Sequence, residues 1–224
     1  MSPRRTVRSA RAPRPTRAPE ATREKLLAAA FEEIFRNGYQ AASIDSILAD
    51  TGLTKGALYH HFADKAALGY AVVDEVVRRL TLQRWTGALE NGGADSLTAL
   101  QNVVRNVAAE SALRPELVEL GCPLNNLTQE MSPLDEKFRS RLSSTFDLWT
   151  GAFADALQRG RDEGSVRPDV DPRRSADFIV SCIEGTFGLA KSAKSLRILR
   201  SNLELLIDYL EGLRARGPSP SPLP

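Results

Sequence analysis

The sequence predicts an all-α chain of about nine helices, in which an N-terminal three-helix unit with a helix-turn-helix precedes a larger helical domain. Three observations carry this. Apolar residues recur at spacings of three and four with no sustained period of two. Residues 43–65 hold three helix-start signals and a helix stop in quick succession. Aromatic residues make up only 6% of the 224, which leaves the chain dominated by helix-favouring types such as Ala, Leu, Arg and Glu.

The first nineteen residues form an arm. They carry six arginines (Arg4, Arg5, Arg8, Arg11, Arg14 and Arg17) and no acid. Subtracting this +6 from the overall +2 leaves the remaining chain at −4. From Arg5 onwards the arginines recur every third residue among prolines, and a polyproline-II helix with three residues per turn would align them on one side. Such an arm either tracks DNA phosphate or a minor groove, or is a solvated tail.

Ser43 is a natural N-cap for a short helix whose apolar positions Ile44, Ile47 and Leu48 share a face. Gly52 supplies a left-handed residue that closes it, and Thr54 caps the next helix. That second helix buries Leu58 and Phe62 and leaves Lys55, Gly56, Ala57, Tyr59, His60 and His61 facing elsewhere. A short helix with a small, polar outer face fits the major groove of double-stranded DNA. Residues 20–65 hold five Lys/Arg against seven Asp/Glu, so this module is not itself strongly basic.

Asp64 caps a long helix from Lys65, with an apolar stripe of Leu68, Val72, Val76 and Leu80 broadened by Val73, Val77 and Trp85. Gly92 and Gly93 mark a loop. A helix near 96–112, a broken segment at 114–134 and a long helix near 135–163 follow, the last ended by Gly164 with Pro168 and Pro172 beyond. Two more helices are expected near 173–191 and 195–214, and the Pro-rich 215–224 is a tail. Leu196, Leu199, Leu203, Leu206, Leu210 and Leu213 form a packing seam, either between subunits or within the chain. Ser181, Gly185, Gly188 and Ser192 place small residues in a similar rhythm, which lets another backbone approach.

The segment GLTKGALYHHFADK (residues 52–65) resembles the signature of the TetR family of bacterial transcriptional regulators (TetR/AcrR type). TREKLLAAAFEEIFRNGY (22–39) resembles that family's first helix. The resemblance is specific over about residues 20–70. It implies a DNA-binding domain over 20–68, a ligand-binding and dimerisation domain over 69–214, and a homodimer built through the last two helices. It also implies a repressor released from a palindromic operator by a small organic effector. Carried over residue by residue, it puts Ser43, Thr54, Tyr59 and Lys65 on phosphates, and Lys55, Gly56, Ala57 and His60 near base edges. His60 or His61 could instead hold phosphate, while Tyr39 and Phe62 are scaffold.

In the second half GCPLNNLTQEM (121–131) is similar to a Gly-Cys-x-x-x-Asn-Leu-x-x-Glu stretch in a subset of these regulators that answer small organic molecules, reactive ones included. Pro123 suits the first position of a helix and puts Cys122 at its N-cap, where exposed amides would favour a thiolate. The candidate ligand contacts are Cys122, Asn125, Asn126, Gln129, Phe146 and Trp149. Cys122 is open to three roles: core packing, ligand contact, or a thiol sensor of electrophiles or oxidants. Cys182 is read as packing.

Other classes fit poorly. Two adjacent histidines point about 100° apart on a helix and no third ligand is evident, so no metal site is expected, and nothing suggests a cofactor. A Gly-rich phosphate loop is missing, so an enzyme is disfavoured. A helical ligand-binding protein without DNA function remains an alternative. With two cysteines, no signal pattern and no run of eighteen apolar residues, a cytoplasmic protein that does not enter the membrane is expected.

Overall fold

The computed structural model describes residues 17–49, 51–87, 89, 95–113 and 116–215. Most of the arginine arm and of the Pro-rich tail lies outside these residues. The elements are α1 (Arg17–Asn37), α2 (Ile44–Leu48), α3 (Lys55–His61), α4 (Lys65–Ala71), α5 (Arg78–Thr86), α6 (Ser96–Leu113), α7 (Glu116–Leu120), α8 (Pro123–Met131), α9 (Glu136–Asp162), α10 (Pro172–Ala193) and α11 (Leu196–Gly212). A π-helical stretch, Val72–Val77, joins α4 to α5 in one continuous rod. Among the described residues the only β-type pairing is an isolated bridge between Val166 and Arg214.

The helix boundaries follow the local chemistry. Gly38 takes φ +84° and its N–H returns to the Ile34 carbonyl at 2.8 Å, stopping α1. Ser43 caps α2 through a reciprocal pair: its hydroxyl accepts from Ser46 N–H at 3.0 Å while Ser46 Oγ accepts from Ser43 N–H at 2.9 Å. Thr54 caps α3 by accepting from Ala57 N–H at 3.2 Å, and Asp64 caps α4 by accepting from Ala67 N–H at 2.7 Å. The segment expected to be broken at 114–134 contains α7 and α8, separated by Gly121 at φ +76°.

The π stretch corrects the expected stripe of the fourth helix. The Arg78 N–H reaches back five residues to the Val73 carbonyl, which inserts an extra residue into the turn. Val72, Val73, Val76 and Val77 are all buried, as the stripe predicts, but the face beyond them rotates. Leu80 turns outward at 38% exposure, and Thr81 and Trp85 take the buried positions.

The N-terminal half packs Leu26, Leu27, Ala30 and Ile34 of α1 against Ile47, Leu58, Phe62 and Leu68. The larger half is built on α9, whose Phe138, Leu142, Trp149, Phe153 and Leu157 are buried. It is flanked by α5, α6 and α10, and α11 closes the layer against α6 and α10. The halves are joined beyond the continuous rod itself. Arg23 of α1 makes a bidentate pair with Glu75 in the π stretch, with both distances 2.5–2.6 Å, and the Tyr70 hydroxyl donates to Asp135 at 2.7 Å.

The leucine seam of α11 is an intrachain core. Leu199, Leu203, Leu206, Leu210 and Leu213 are all buried within the chain and Leu196 partly so, because α11 lies in the groove between α6 and α10 and spends that face there. The apolar surface left open lies one step round both final helices. Phe178 and Leu189 on α10 are exposed, as is Leu205 on α11 at 64%, and Phe178 packs on Tyr209 with ring centroids 5.0 Å apart. Gly185 lies among them, and a Cβ on it would meet open space.

Candidate nucleic-acid interface and regulatory core

The caps on α2 and α3 place two short helices so that Leu58 is fully buried while the opposite face of α3 is open. Lys55, Gly56, Tyr59 and His60 are exposed, Ala57 is half-buried at the helix start, and Ser43 and Thr54 are exposed at the two caps. The Lys55 ammonium lies 2.7 Å from Asp45 on α2, an exposed pair that water and salt screen strongly. Tyr59 stands out from the helix at 51% exposure. All seven residues are thus wholly or partly exposed.

Lys65 is placed differently. It is half-buried, its ammonium sits 4.6 Å above the Tyr39 ring, and it donates to the Gln40 carbonyl at 3.3 Å. It thereby braces the turn that leads into α2. Tyr39, expected as scaffold, is central to that turn: its ring meets Phe138 of α9 edge-on at 4.7 Å, and burial pushes its hydroxyl up to about 12. His60 and His61 stack T-shaped at 5.1 Å, and no group of three metal-ligating side chains exists among the described residues.

The six candidate ligand contacts are not all brought together. Trp149 is fully buried in an aromatic cluster, stacked on Trp85 at 4.8 Å and on the half-buried Phe146 at 6.3 Å. Phe187 of α10 meets Trp85 edge-on at 6.4 Å. Cys122 is buried at the N-cap of α8, as its position before Pro123 suggested. Asn125, Asn126 and Gln129 lie elsewhere. Asn126 turns back to donate to the Leu120 carbonyl at 2.7 Å and accepts from Lys191 at 3.1 Å. Gln129 is exposed and reaches Asn125 at 3.4 Å. Asn126 and Gln129 line a groove of about 510 Å³ between α1 and α8, floored by Phe31, Ile34, Phe35 and Leu127.

The expectation that Cys122 favours a thiolate is corrected. Its thiol is pushed well up, first by burial and then by the neighbouring carboxyl of Glu184 on α10. The amides of Leu124 and Asn125 act in the opposite sense and are outweighed. Glu184 is the residue that the sequence reading missed. It is buried at 7% exposure, and burial pushes its carboxyl up to about 7. The Cys122 thiol, a weak donor, is its polar neighbour, and neither carboxyl oxygen has a well-formed hydrogen bond among the described residues. The Trp149 Nε1 donor is likewise buried and unpartnered. A lone acid among Ile179, Val180, Ile183 and Phe187 on the buried face of α10 was the available signal.

Two sequence profiles match the two halves. Residues 26–72 match the bacterial regulatory proteins, tetR family, and residues 93–204 match the tetracyclin repressor-like C-terminal domain. The chain belongs to the TetR family. It is 28% identical to the HTH-type transcriptional repressor DhaR of Mycobacterium sp. (strain GP1), over 84% of this chain and 91% of that one. It is 30% identical to the transcriptional regulator AcuR of Cereibacter sphaeroides, over 88% of this chain and 84% of that one. A crystal structure of a TetR transcriptional regulator from Chloroflexus aurantiacus superposes with a TM-score of 0.79 at 30% identity, covering 90% of this chain and all (100%) of that one. This TetR-family member is a ligand-responsive, DNA-binding transcriptional regulator. No helix among the described residues is long and apolar enough to cross a membrane.

Proposed function

We propose that the chain is a homodimeric, non-enzymatic repressor that occupies a palindromic operator and leaves it when a small organic effector binds. The observation that carries this reading is the open face of the capped α3. Ser43, Thr54 and Tyr59 offer hydroxyls and helix-start amides to phosphate, and Lys55, Gly56, Ala57 and His60 offer a low-profile surface to base edges. Lys65 adds an ammonium at the edge once it leaves the Gln40 carbonyl. In this reading residues 20–68 serve DNA and 69–214 serve effector and dimer, with the arm and tail outside them.

Two reading heads need a fixed separation of about 34–36 Å to meet successive major grooves. The exposed strip of Phe178, Leu189 and Leu205 around the open Gly185 supports pairing through α10 and α11. The effector site is read as the aromatic core beside Trp149 and Phe146, with Cys122 and Glu184 as its polar end. Asn126 and Gln129 serve the α1–α8 groove, with Asn125 acting on it through Gln129. Cys122 is read as a neutral contact, since a thiol pushed up by burial is a poor nucleophile at neutral pH. If Cys122→Ser abolishes release by an electrophile or oxidant, the thiol-sensor alternative replaces this assignment.

The deciding experiment is fluorescence anisotropy with the DNA upstream of the protein's own gene against scrambled DNA, at two salt concentrations, followed by a genome-wide search for a distant operator. Preference for one sequence that survives higher salt supports the reading. Equal binding to every fragment, lost at higher salt, refutes it.

A further inference from the structure

The turn that feeds the DNA-reading helices is gripped by a side chain from the other half of the protein. Tyr39 N–H donates to Glu130 Oε2 at 2.9 Å and Gln40 N–H donates to Glu130 Oε1 at 2.8 Å, so both oxygens of one carboxylate hold two successive amides. Glu130 belongs to the last turn of α8, some ninety residues further along the chain. An acid near a helix C-terminus faces the negative end of the dipole, so this position is electrostatically poor unless something compensates. The two amides do. The preceding Gly38 completes the fit: at φ +84°, a Cβ there would lie 3.2 Å from both carboxylate oxygens. Packing on the far side of the turn is equally close, since a Cβ on Gly69 would fall 2.5 Å from the Tyr39 ring.

The opposite end of α8 is Cys122, against the unpartnered Glu184 of the regulatory core. One nine-residue helix thus connects the buried polar group to the turn that sets α2 and α3. A bidentate clamp tolerates little travel, because a shift of about 0.5 Å takes both bonds beyond the usual 3.2 Å limit.

We infer that Glu130 is a positioning residue for DNA recognition: its carboxylate fixes the 38–40 turn in the operator-binding pose, and movement of α8 opens the clamp. This rests on the reading above, in which the effector-free chain is the form that holds DNA. The continuous α4–α5 rod carries the covalent connection between the halves, and the Glu130 clamp joins the Arg23–Glu75 and Tyr70–Asp135 contacts as a breakable one.

The full-length chain and its Glu130→Ala and Glu130→Gln variants test this by amide hydrogen exchange and by operator anisotropy. The expected result for Glu130→Ala is exchange at Tyr39 and Gln40 faster by about ten-fold or more, unchanged exchange in α9–α11, and operator binding weakened about ten-fold. Glu130→Gln keeps one acceptor oxygen, so it should protect one amide and restore part of the affinity. Unchanged exchange at residues 39 and 40 in the Ala variant overturns the clamp. Faster exchange with operator affinity held within two-fold overturns its role in positioning. If the wild type retains no genomic DNA, the repressor reading fails, and the exchange measurement still decides whether the clamp exists.

Discussion

Replacing Glu184 by Gln should stabilise the protein at alkaline pH and not at acidic pH. The carboxyl is raised from 4.5 to about 7 by burial, and it is only 7% exposed, so solvent screens it little. Between those two values the native chain holds a proton that the unfolded chain has released. The free energy of unfolding therefore falls as pH rises through this window and levels off above about 7. A shift of about 2.5 pK corresponds to about 3 kcal/mol of ionisation cost, a large share of a domain's ~5–15 kcal/mol. The amide has nearly the same shape and no charge, so its own desolvation adds an offset that does not vary with pH. The assay is the urea midpoint of both proteins from pH 5 to pH 8.5 at one protein concentration. The variant's advantage should grow by about 2–3 kcal/mol across that range. A difference that stays flat with pH would show that Glu184 is not a buried, unpaired acid, and the argument for a polar end to the effector site would go with it.

Three further outcomes are expected. Gly69→Ala places a methyl 2.5 Å from Tyr39 and 2.8 Å from Phe138. Overpacking of about 1–3 kcal/mol then outweighs the ~1 kcal/mol gained in helix propensity, so thermal unfolding should come earlier and operator binding should weaken. An unchanged melting temperature would refute the close contact. Leu205→Asp sets a charge in the exposed apolar strip of α10 and α11, away from the buried seam, so sedimentation at micromolar concentration should show monomers that still give a helical circular dichroism spectrum. A persistent dimer would move the interface elsewhere. Deleting residues 2–18 removes six arginines per subunit and should flatten the slope of log affinity against log salt by up to about 5 for each arm that lies on DNA. No change in slope would make the arm a solvated tail.

The residues 43–65 were legible from the sequence because capping is local. Ser43, Thr54 and Asp64 each satisfy an amide three residues ahead, and Gly52 takes φ +66°, so spacing alone fixes the helix starts and the turn. The all-helical architecture and the family signature were readable for the same reason. Periodicity shows that a helix has an apolar face, but it cannot say which neighbour covers that face. The leucines of α11 met that limit: they satisfy a subunit seam and an intrachain core equally well, and only the placement of α11 between α6 and α10 decides for the core. The π stretch, beyond which Leu80 turns out, leaves no mark in a heptad count. For Cys122, the helix N-terminus visible in sequence lowers a thiol pKa, whereas burial and a carboxyl from α10 raise it by more. Glu130 reaches Tyr39 and Gln40 across ninety residues of chain. Local hydrogen bonds and composition thus settled what the helices are, and contacts between residues distant in sequence settled which of their side chains are free to act.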